Sequence, residues 1–77
     1  MDYKTNEEFA TQKAQVRAWL LDGNHITPLE ALNRFGSLRL SSIIHRLRED
    51  GLDITTDIIQ VSPRKRVADY YIKQENL

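Results

Sequence analysis

The chain has 77 residues, 40% of them hydrophobic and 29% charged, which supports one domain around a small core and leaves too little chain for a deep enclosed active site. Cysteine is absent, which excludes disulfide staples, thiolate metal sites and cysteine catalysis, and fits a reducing compartment. Eleven basic side chains balance eleven acidic ones, a neutrality that weighs against a protein coating nucleic acid indiscriminately.

In chain order, residues 1–8 are polar, lack the apolar stretch of a signal peptide, and read as a flexible N-terminus. From Phe9 to Leu21 the spacing turns helical. Phe9, Val16, Trp19 and Leu20 share one face, and Lys13 and Arg17 lie on another. Asp22-Gly23-Asn24 stops this helix. His25-Ile26-Thr27 is short and predicts a small strand or bridge. Thr27-Pro28-Leu29-Glu30 then opens a second helix. Thr27 caps the free amides, Pro28 has no helical hydrogen bond to lose at the first position, and Glu30 completes a capping box. That helix runs to about Phe35 with Leu29, Leu32 and Phe35 as its apolar stripe, and Gly36 ends it.

Ser37 is expected to cap a third helix from about Leu38 to Asp50. Its inward stripe is Leu40, Ile43 or Ile44, and Leu47; its outward face carries Arg39, Ser41, Ser42, His45, Arg46 and Glu49. After Gly51 the period changes to two, predicting a strand from Leu52, with a bulge or register change where Ile58-Ile59 breaks the alternation. Residues 60–65 read as a loop, Val67 to Ile72 as a returning strand, and 73–77 as a polar tail. The expected fold class is therefore α+β: a winged helix-turn-helix over residues 9–72, with three helices, a C-terminal β-hairpin wing and a short strand between helices 1 and 2. A generic α+β domain uses the same elements.

The balanced charge is segregated. Arg34, Arg39, His45, Arg46 and Arg48 lie in a stretch without acids, and Arg64-Lys65-Arg66 lie in a second one. Glu49, Asp50, Asp53 and Asp57 fall between them. Catalysis and metal binding have little support. His25 and His45 lack metal-ligand spacing, and Asp53 and Asp57, four residues apart on a strand, stand about 13 Å from each other. No phosphate loop or nucleophile–base motif occurs, so neither an enzyme nor a cofactor is expected.

A family resemblance rests on Lys13-Ala14-Gln15-Val16, Gly23, Ile26-Thr27-Pro28-Leu29-Glu30-Ala31-Leu32, Phe35-Gly36, Leu38-Arg39-Leu40, Ile44, Leu47-Arg48, Gly51 and Lys65-Arg66-Val67-Ala68-Asp69-Tyr70. Over about residues 11–72 the chain resembles a family of small helix-turn-helix domains common in bacteriophage and prophage genomes. The resemblance implies a winged helix-turn-helix fold and a DNA-binding role.

On that reading the helix after Gly36 enters the major groove. Arg39, Ser41, Ser42, His45 and Arg46 face base edges, while Ser37 offers helix-terminal amides to a phosphate. Arg64, Lys65 and Arg66 at a hairpin tip suit phosphate or minor-groove contact. The expected partner is double-stranded DNA, bound as a homodimer or at adjacent sites because one small domain has a modest footprint. The expected setting is the cytoplasm of a bacterial host, on the nucleoid when DNA is bound; no apolar run approaches the ~18 residues of a membrane span. The roles implied are transcriptional regulation or an excisionase-like accessory task. The alternative is a winged helix that binds a host protein, favoured by the neutral charge and the acidic stretch 49–57.

Overall fold

A computed structural model describes residues 2–73 and places helix α1 at Asp2–Leu21, α2 at Pro28–Phe35, α3 at Leu40–Glu49, strand β1 at Ile54–Ser62 and β2 at Lys65–Ile72. The order is the predicted one: three helices, then an antiparallel hairpin, with a lone bridge between α1 and α2. In that bridge Ile26 and Tyr70 exchange backbone hydrogen bonds of 2.9 Å in both directions. β2 is thus flanked by β1 on one side and Ile26 on the other.

α1 begins well before Phe9, because residues 2–8 contain neither glycine nor proline to interrupt it. The predicted tail beyond Lys73 lies outside the described residues. The capping box forms as the sequence specifies. Thr27 Oγ1 accepts from the Glu30 amide (3.3 Å), and Glu30 Oε1 accepts from the Thr27 amide (3.2 Å). Gly36, at φ 68°, ends α2 in the left-handed region.

The core is Val16 and Leu20 from α1, Ile26, Ala31 from α2, Leu40, Ile43, Ile44 and Leu47 from α3, and Ile54. Phe9, Trp19, Phe35, Leu52, Tyr70 and Ile72 pack around it. Both isoleucines of α3 are buried, so its stripe is wider than a single row. In α2 the expected stripe is half corrected. Phe35 packs inward and Ala31 is fully buried, but Leu29 and Leu32 are 66% and 40% exposed. The small alanine faces the core, and the larger leucines point out.

Two further expectations are corrected. α3 starts at Leu40 rather than Leu38. Ser37 lies two residues before the cap: its Oγ accepts from the Arg39 amide (3.1 Å), and Arg39 occupies the cap position without a side-chain cap. The hairpin shows no break at Ile58-Ile59, which pair in register with Ala68 and Val67. Its irregularity falls between Gln60 and Ser62, so Val61 is the extra residue. The strands then continue to Ser62 and from Lys65, leaving only Pro63-Arg64 as the turn.

The wing is fastened at its base. Ile54 is buried, and Arg48 at the end of α3 donates from Nε (3.2 Å) and Nη2 (2.8 Å) to its carbonyl oxygen. From there nine strand residues at about 3.3 Å each carry the tip roughly 26 Å outward. Trp19 is structural: its Nε1 donates to the His25 carbonyl (2.8 Å), and its ring meets Phe35 edge-on at 6.1 Å. Among the described residues no helix is long and apolar enough to cross a membrane.

Candidate nucleic-acid interface

The outward face of α3 and the N-terminal half of α1 enclose an open hollow of about 460 Å³, lined by Phe9, Arg39, Ser41, Ser42, His45 and Arg46. Five of the nine expected binding residues therefore meet around one concavity. The cause lies in the α3 pattern. With Leu40, Ile43, Ile44 and Leu47 buried, positions 41, 42, 45 and 46 must face out together.

Arg39 is held in place. Its guanidinium lies 4.6 Å from the centroid of the Phe9 ring, a cation–π contact that limits the side chain's freedom without using its hydrogen-bond donors. Phe9, read from sequence only as part of an apolar stripe, is thus a positioning residue for the site. His45 Nε2 and Arg46 Nη1 approach the two Glu49 oxygens at 3.3 and 3.6 Å. These pairs are exposed and screened by water, so an incoming phosphate or base edge competes with Glu49 at little cost. The first turn of α3 has neither a side-chain cap nor an acidic residue, leaving its amides and its positive helix end open beside Ser41 and Ser42.

Ser37 does not join this surface. It is 1% exposed and its hydroxyl is engaged by the Arg39 amide, so it shapes the turn from beneath. Its expected role runs through helix-terminal amides rather than its side chain; its own amide donates to the Ala31 carbonyl (3.1 Å), so the amides left to offer are those that follow it.

Arg64, Lys65 and Arg66 lie apart from the hollow, at the exposed end of the hairpin. Strand alternation divides the last two. Arg66 shares a face with Ala68, Tyr70 and Ile72, the face whose base packs on the core, and Tyr70 there borders a hollow with Ser41. Lys65 shares the opposite face with Val67, and with Val61, Thr27 and Leu29 lines a separate small hollow. Arg66 is therefore on the α3 side of the wing.

The acids of the hairpin are used one by one. Asp57 and Asp69 are direct cross-strand partners, but each is engaged separately. His25 Nδ1 donates to Asp69 Oδ2 at 2.6 Å, and the Tyr71 hydroxyl donates to Asp57 Oδ2 at 2.9 Å. The His25 and Tyr71 rings stack at 4.3 Å, tying the α1–α2 connection to β2. The hydrogen bond to Asp57, followed by partial desolvation and the negative charges of Asp57 and Asp69, raises the Tyr71 pKa above its ordinary 10.0. Among the described residues no group of three or more His, Asp or Glu could hold a metal ion. Lys13 is paired with Asp50 at 2.8 Å.

Three helices closed by an antiparallel two-stranded hairpin, with a polar helix face leading away from the turn, define a winged helix-turn-helix domain. The chain belongs to the winged helix-turn-helix domain family, which matches residues 11–75. No curated protein and no solved structure matches it. Membership in this family points to DNA binding in general.

Proposed function

We propose that this protein is a small sequence-specific DNA-binding protein of phage or prophage type, working as a transcriptional regulator or an excisionase-like accessory factor in the cytoplasm of a bacterial host. The observation that carries this is the hollow on α3, where Arg39, Ser41, Ser42, His45 and Arg46 surround an uncapped helix start. Arginine pairs with guanine O6 and N7 through two parallel donors, and the short serines let the helix backbone approach the groove floor. The wing tip, with Arg64 and Arg66 exposed, serves the phosphate backbone. Binding is the whole activity on this reading. Because a single small module buries little surface, two copies on paired half-sites supply the affinity.

The test is a titration of isotope-labelled protein with a random-sequence duplex at low salt, followed through backbone amide shifts. Non-specific binding is mostly phosphate electrostatics, so the site need not be known. Shifts at residues 39–46 and 64–66 that salt reverses are the expected result. An unchanged spectrum at millimolar duplex would reject the proposal.

A second reading has its own observation. Ile58, Ile59 and Val61 are 64%, 37% and 54% exposed on the wing, and Leu29 lines a small hollow with Val61 and Val67 beside α2. Such apolar exposure suits a protein partner, of host origin on the phage-type reading. In the same titration this reading gives no response to DNA.

A further inference from the structure

Leu38 is 84% exposed, more than any other large hydrophobic residue described. A leucine loosely carried on a mobile surface would need no explanation, but this one is held. The amide of Ser37 before it donates to the Ala31 carbonyl (3.1 Å), and the amide of Arg39 after it donates to Ser37 Oγ (3.1 Å). Ser37 is buried, and Leu40, two residues on, is 3% exposed. The backbone on both sides of Leu38 is thus tied to the core while its side chain projects outward.

Its neighbours define its setting. Leu38 borders one hollow with Ser41 and Tyr70, and a second with Arg39 and Phe9. It therefore borders both hollows, one shared with Ser41 and the other with Arg39, just before the helix whose face forms the candidate interface. Pro28, Leu40 and Tyr70 line the first hollow and Phe9 the second, so the leucine stands at the edge of apolar side chains, next to Ser41 and Arg39. It matches the major groove. There every base edge presents polar atoms, and the single apolar group is the C5-methyl of thymine.

We infer that Leu38 reads the methyl group of a thymine next to the bases met by Arg39 and Ser41. This rests on the DNA-binding reading above and adds a specificity element to it. Arg39 and Ser41 select by hydrogen bonding, whereas Leu38 selects thymine over cytosine at its position by burying a methyl group against its own side chain.

The test uses the whole chain and a duplex selected from a random library by the wild-type protein. Each thymine is replaced in turn by uracil, which removes only the C5-methyl group, and affinity is measured for wild type and Leu38→Ala. At one or two positions uracil should weaken wild-type binding about three- to fivefold, roughly what one buried methyl group contributes. Leu38→Ala should bind the thymine duplex more weakly and no longer distinguish uracil at those positions. Its thermal melt should match wild type, since the side chain is exposed, and Leu38→Val, which keeps two γ-methyl groups beyond the β-carbon that alanine retains, should recover part of the discrimination. If Leu38→Ala discriminates uracil as wild type does, or if no position responds in a duplex that binds specifically, this inference is overturned and DNA binding stands. If no duplex is bound, both fall together.

Discussion

Arg48 of α3 and Ile54 of β1 are joined by a forked hydrogen bond: Nε and Nη2 of one guanidinium both reach the same carbonyl oxygen, at 3.2 and 2.8 Å. Nη2 also donates to Thr56 Oγ1 at 2.7 Å. The last turn of α3 is thereby locked to the root of the wing. Read along the sequence, Arg48 is one more member of a basic stretch; in the fold it is the hinge pin between the two candidate contact surfaces. Replacing it with alanine should lower stability by about 1–2 kcal/mol, the partly exposed end of the range for charge-assisted hydrogen bonds. At this chain length that shifts Tm by roughly 4–8 °C per kcal/mol. Arg48→Lys should recover little, since an ammonium lacks the planar fork. Thermal melts check the loss, and faster amide exchange in β1 checks that it begins at the wing root.

Ala31 and Leu29 test which face of α2 is inside. Ala31 is fully buried, so Ala31→Leu should destabilise the fold by about 1–3 kcal/mol through overpacking. Leu29 is 66% exposed, so Leu29→Ala should change stability by no more than about 0.5 kcal/mol. Denaturant melts of the two variants would show the opposite ranking if the leucine stripe faced the core.

Ser37→Ala separates shaping a site from touching a ligand. Losing its Oγ strands the Arg39 amide, which should cost about 1 kcal/mol. The salt slope of DNA binding should not change, because a buried hydroxyl neutralises no phosphate. A flatter slope in folded Ser37→Ala protein would place the residue back among the contacts.

At the wing, Arg66→Ala should weaken binding to every duplex and reduce the salt slope by about 1, as the loss of one phosphate contact does. Lys65→Ala should have the smaller effect, because Lys65 points to the face shared with Val67 and Leu29. Affinities measured across a salt series for the two variants distinguish them.

The Tyr71 hydroxyl provides a pH signature. Its pKa lies above 10.0, held up first by its hydrogen bond to Asp57. Folding therefore favours the protonated phenol. The stabilisation is complete below the unfolded pKa near 10 and disappears as pH rises through the higher folded value. The difference in ultraviolet titration between wild type and Tyr71→Phe should show one phenol ionising late. Asp57→Asn, which removes the neighbouring charge, should bring that transition down towards the ordinary value.

What the sequence by itself determined is local. The capping box of Thr27 and Glu30, the stop at Gly36, the inward stripe of α3 and the change to period two after Gly51 each depend on residues within a turn or two of one another. Short-range sterics and hydrogen bonding decide such features, so the element order and the outward cluster from Arg39 to Arg46 were legible. Tertiary structure decided what depends on distant partners. Whether Ala31 or Leu29 faces the core is set by the elements that close against α2. The burial of Ser37 depends on how the turn folds under, and the seat of Arg39 on Phe9 joins residues thirty positions apart. The straight run of β1 through Ile58-Ile59 comes from cross-strand pairing with Val67 and Ala68, whose ladder hydrogen bonds override the local break in alternation.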